Sequence, residues 1–178
     1  DESFAACDEA IIKMLDTGGE WAVYGCHTVA DLKLQTYAAW VVSLLDEERP
    51  AVKVAAAHCI GKLQHIESIP ILLDMVTMAD QELRKAILQA LLDMGDKALP
   101  TLLTYSQHPN PFIWNAVVTT LAELLDEGRL HSLLIELCVQ RLQASTQERA
   151  LPTALEKLDL LGLAELAKER CGELHEAL

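Results

Sequence analysis

The sequence predicts an all-α domain, a superhelix of about five antiparallel helix pairs stacked in series. Three observations lead to that class. Apolar residues recur at three- and four-residue spacing along the chain, no stretch alternates as a half-buried strand does, and similar segments return about every 30 residues. Composition agrees: hydrophobic residues make up 51% of the chain and aromatics only 4%, so the core must be built from Leu, Ala, Val and Ile, which suits packed helices. A chain of 178 residues can bury roughly 70% of the surface its unfolded form exposes, so residues 1–178 are expected to form a single domain. Because the chain begins at Asp1 and not at Met, it is expected to be a fragment of a longer protein.

Taken in order, Phe4 to Leu15 carries the first helical stripe and stops at Gly18-Gly19. Residues 20–28 show no helical period and hold Trp21 and Tyr24, so the segment 17–29 reads as a connecting loop. The stripe resumes over 30–45 through Leu34, Tyr37, Ala38, Val41, Val42 and Leu45, with Trp40 read as core. Pro50 fits the first turn of the next helix, where its missing N–H costs nothing. Further helices are expected at 50–64, 66–79, 81–94, 97–107, 111–126, 129–143, 147–159 and 161–177. The breaks fall at Asp80, Gly95-Asp96, Pro109-Asn110-Pro111, Gly128 and Gly162.

Internal repetition is the strongest signal. Val52 matches Leu83 and Ile113, Ala55 matches Ala86 and Ala116, Ile60 matches Leu91 and Leu121, and Leu63 matches Met94 and Leu124. The second helix of each pair repeats in phase: Pro70-Ile71-Leu72-Leu73 aligns with Pro100-Thr101-Leu102-Leu103 and with His131-Ser132-Leu133-Leu134. Each unit exposes an apolar face that only its neighbour can cover, so the pairs must stack, and the small residues at 55, 86 and 116 let adjacent helices come close.

The string Asp46…Val52-Lys53-Val54-Ala55-Ala56-Ala57…Ile60-Gly61-Lys62-Leu63…Ile69-Pro70-Ile71-Leu72-Leu73 resembles the short HEAT-like repeat, the variety also found in phycobilisome lyases. Asp80…Leu83-Arg84-Lys85-Ala86…Leu91…Met94-Gly95-Asp96…Leu99-Pro100…Leu102-Leu103 repeats it. The third copy departs, with Trp114 where a basic residue is usual and Glu123 away from the usual glycine. The resemblance is clearest over 46–142 and implies a HEAT-like α-solenoid. Such a scaffold hosts unrelated tasks. It implies either a non-catalytic interaction scaffold or adaptor or, as the alternative, a bilin-lyase-like or other ligand-handling enzyme using the solenoid groove.

Charge narrows the partners. Fourteen Lys and Arg against 27 Asp and Glu give a net charge of -13 with no basic cluster, which disfavours nucleic acid and anionic membranes. Five scattered cysteines fit a reduced, cytoplasmic setting. No apolar run reaches the roughly 18 residues a membrane span needs, and no leader pattern precedes the first helix.

Catalytic and metal signatures are missing from the sequence. There is no CxxC, HExxH, GxSxG or phosphate-cradling loop, and the adjacent pairs Cys26-His27 and His58-Cys59 point apart on any regular element. The dyad His175-Glu176 stands alone, where iron-holding HEAT-like hydroxylases use several. No catalytic residue, cofactor or metal is therefore expected.

Binding is the better use of a helical ribbon. With Leu72-Leu73, Leu102-Leu103 and Leu133-Leu134 taken as buried, the outward stripe of the second helices includes Asp74, Met75, Met78, Thr101, Tyr105, Glu136 and Gln140. This concave face is expected to take a protein or peptide with basic residues; an ordinary solvated face is the competing explanation. Trp21, Tyr24 and Trp114 are the aromatic candidates for partner contact, against a role in capping helix ends. Oligomeric state is left open.

Overall fold

The computed structural model describes residues 2–106 and 108–125. They form eight α-helices: α1 (Glu2–Thr17), α2 (Gly19–Asp31), α3 (Ala38–Ser43), α4 (Pro50–Leu63), α5 (Ile69–Met75), α6 (Gln81–Met94), α7 (Leu99–Tyr105) and α8 (Pro111–Leu124). Short 3-10 turns lead into α3, α5 and α7, and no strand occurs among the described residues. The all-α class with helix pairs in series is as the sequence indicated. The helices expected at 129–143, 147–159 and 161–177 lie outside the described residues. The chain divides into two compact units, Asp1–Leu102 and Leu103–Leu178.

Two sequence expectations need correction. Residues 20–28 are not a loop but the body of α2. Its buried side is built from Ala22, Gly25, Cys26 and Val29, a helical i, i+3, i+4, i+7 set of small residues that hydropathy barely registers. The large aromatics that obscured this period point outward. The continuous helix expected over 30–45 is broken, because α2 ends at Asp31 and Lys33 takes a left-handed φ of 52°. Trp40 is 37% exposed on α3, not core, and Leu103 is exposed where burial was expected.

The break at Lys33 is a repeat feature. Lys33 N–H donates to the Ala30 carbonyl and Leu34 N–H to the Val29 carbonyl; Gln64 and His65 do the same to Gly61 and Ile60. This paired pattern with a left-handed residue is the Schellman helix stop. Positive φ recurs at Lys33, Gln64 and Gly95, each 31 positions after the last. Only the third is glycine, so the stop at Lys33 left no signal in the sequence, while the one at Gln64 showed only as a break in the apolar period.

Side chains tie each turn to the following first helix. Gln35 Nε2 donates to the Leu63 carbonyl at 2.6 Å, and Gln64 Nε2 to the Asp93 carbonyl at 3.2 Å, which satisfies carbonyls that a helix end leaves unpaired. Lys97 Nζ donates to Gln64 Oε1 at 2.8 Å, and Lys62 pairs with Asp93 at 3.1 Å. Helix starts are conventional: Asp80 accepts from Leu83 N–H at 2.8 Å, Asn110 accepts from Phe112 N–H at 2.9 Å, and Pro50, Pro70 and Pro111 occupy first turns.

Packing matches the repeat columns. Val52, Leu83 and Ile113 are buried, as are Ala55, Ala86 and Ala116, and Ile60, Leu91 and Leu121. First helices α4 and α6 approach closely at Gly61, where an added Cβ would lie 2.5 Å from the Ala90 Cα. Alanine at 61 gains up to about 1 kcal/mol of helix propensity, but the overlap is with backbone, which cannot rotate away. Gly61→Ala is therefore expected to lower stability, and Gly61→Val to lower it by about 2–3 kcal/mol, read from urea unfolding. An alanine variant as stable as the parent would contradict this close approach.

Candidate partner-binding surface

Between the end of one second helix and the next repeat lies a groove of about 390 Å³. Leu45 and Asp46 come from the turn after α3, Lys53 from α4, Ile71, Asp74 and Met75 from α5, Met78 and Ala79 from the turn that follows, and Leu83 from α6. Leu45, Ala79 and Leu83 are buried and form the base, while Met78 is 91% exposed at the rim. Asp46 and Asp74 make no hydrogen bond or ion pair through their carboxylates among the described residues. The groove thus offers flexible apolar contact beside two free anions and one cation.

Asp74, Met75 and Met78, singled out from the sequence, all line this groove. Thr101 is half-buried on α7 and does not line it. In the second unit Tyr105 is half-buried and stacks on His108, with ring centroids 6.0 Å apart and an interplanar angle of 21°. Trp114 is only 3% exposed, so its ring is packing and not an accessible contact. Glu136 and Gln140 lie outside the described residues. Trp21 and Tyr24 project from α2, 57% and 61% exposed, their rings 6.3 Å apart and tilted by 60°. The sequence reading missed Ile71, which takes in α5 the place that the exposed Trp40 has in α3.

One grouping has the composition of a hydrolytic triad. His65 Nδ1 lies 2.6 Å from Ser68 Oγ, and His65 Nε2 lies 3.6 Å from Glu67 Oε2. Ser68 is 1% exposed, so its hydroxyl cannot meet a substrate, and the contacts instead secure the 3-10 turn before α5. Among the described residues no three His, Cys, Asp or Glu side chains converge as a metal site, and no helix is long and apolar enough to cross a membrane.

Residues 10–91 match the family described as HEAT repeats. With the 31-residue helix pairs, this makes the stretch a run of HEAT-like repeats. Among solved structures the chain is similar to the complex of CpcE and CpcF of phycocyanin lyase from Nostoc sp. PCC7120, at 19% identity and a TM-score of 0.49. The match covers 85% of this chain and 63% of that one. No curated protein matches.

Three buried groups set a pH dependence. Burial pushes the Cys26 and Cys59 thiols up to about 12, and the hydrogen bond from Tyr37 to Asp8, aided by burial, raises the Tyr37 phenol to about 12. Above pH 9 the unfolded chain begins to release these protons while the folded chain keeps them, so stability is full below that point and is lost as pH rises toward 12. The urea midpoint should fall across this interval. Cys26→Ala plus Cys59→Ala should flatten the fall, and an unchanged slope would contradict the burial of the two thiols.

Proposed function

We propose that the chain is a non-catalytic scaffold or adaptor that binds a protein or peptide partner through the second-helix face, with the 45–83 groove as its anchor point. The observation that carries this reading is the groove itself: an open apolar concavity rimmed by an almost fully exposed methionine, on a repeat scaffold whose stacked helices form extended binding surfaces. Methionine adapts to irregular apolar partners, and hot spots gather where an apolar anchor fills a pocket. Unpaired Asp46 and Asp74, within a chain of net charge -13, favour a partner with basic residues near that anchor.

A photo-crosslinking amino acid at position 78 tests the reading. It should yield a discrete adduct with one protein in the native lysate, and Ile71→Ala plus Met75→Ala should lower the yield at least about fivefold, the loss of roughly 1 kcal/mol expected for a central contact, with helicity unchanged. Absence of an adduct, or an adduct indifferent to those substitutions, rejects the groove. A small molecule that co-purifies and competes at position 78 would support the ligand-handling alternative instead.

A further inference from the structure

The 31-residue register aligns three first helices residue by residue. Trp21, Tyr24, Thr28 and Leu32 stand where α4 has Val52, Ala55, Cys59 and Leu63, and where α6 has Leu83, Ala86, Ala90 and Met94. In α4 and α6 every member of this column is buried, none more than 6% exposed. Along α2 the same column is open: Trp21 and Tyr24 are mostly exposed, Thr28 is half-buried and Leu32, just past the helix, is 58% exposed.

The column's direction follows from packing. Ala90 belongs to it and meets Gly61, so in α6 it faces the preceding first helix. In α2 no such helix precedes it among the described residues, because α1 packs on another side, with Leu15 and Met14 against Gly25. The exposed stripe on α2 carries two large, low-entropy aromatics of the kind that anchor interfaces.

We propose that this stripe is a self-association surface, on which α2 of a second copy lies antiparallel about a two-fold axis. An ordinary repeat is a poor occupant, because Tyr24 stands where the covered columns of α4 and α6 carry the small buried residues Ala55 and Ala86. The stripe is instead complementary to itself. Antiparallel pairing sets Trp21 opposite the second copy's Leu32 and brings Tyr24 beside its Thr28. It also brings Glu20, in the first turn of α2, toward the second copy's Lys33, which stands just past the end of that helix; both are exposed, and neither has an ion pair among the described residues. Two-fold symmetry produces that charge pairing twice, which fixes the direction of the helices.

Sedimentation velocity over a concentration series of the full chain tests this, with circular dichroism as the folding control. The expected result is a reversible dimer that Trp21→Glu plus Tyr24→Glu weakens by at least about tenfold without loss of helicity. Glu20→Lys alone should weaken it several-fold, and adding Lys33→Glu should restore it. A monomer at every concentration, a dimer indifferent to these substitutions, or a charge swap no tighter than its single changes would overturn the proposal. The Ile71→Ala plus Met75→Ala variant should dimerise normally, which separates this surface from the groove.

Discussion

The stacking of the first helices depends on the approach of α4 to α6 at Gly61 and Ala90. Helix backbones this near leave no room for a methyl group, so the two residues fix both the spacing and the rotation of adjacent first helices. That rotation decides which column of each helix is covered by its neighbour. The buried identity of Val52, Ala55, Cys59 and Leu63, the position of the second helices, and the groove they leave open beside Met75 all descend from it.

Much of the fold was legible because the repeated columns are made of Leu, Ile, Val and Ala, whose burial is nearly obligatory once helices stack. The matched sets Val52, Leu83 and Ile113, and Ile60, Leu91 and Leu121, are buried as their spacing required. The failures are equally physical. In α2 the inward face is Ala, Gly, Cys and Val, while Trp and Tyr face out, so the hydropathy pattern is inverted relative to its neighbours. Lys33 stops α2 in a conformation that glycine would have announced.

The site was legible only in part, for a different reason. A groove depends on how three helices and two turns meet, and single-helix periodicity identified two of the three members contributed by α5, Asp74 and Met75, with Met78 just beyond. Asp46, Lys53 and Leu83 arrive from other elements and carry no local mark. Trp114 shows the opposite case: its rarity and unusual repeat position suggested contact with a partner, whereas its ring is packed away.

The glutamine bonds give the array a direction. Gln35 closes the end of α4 and Gln64 closes the end of α6, so each interhelix turn supports the unit after it. Opening the first pair would strip α4 of an outside donor, whereas opening α6 would leave the Gln35 bond intact. Unravelling from the amino-terminal side thus removes a donor from the pair that comes next, so the glutamine caps, unlike the bond from Lys97 back to Gln64, pass support in one direction along the described repeats.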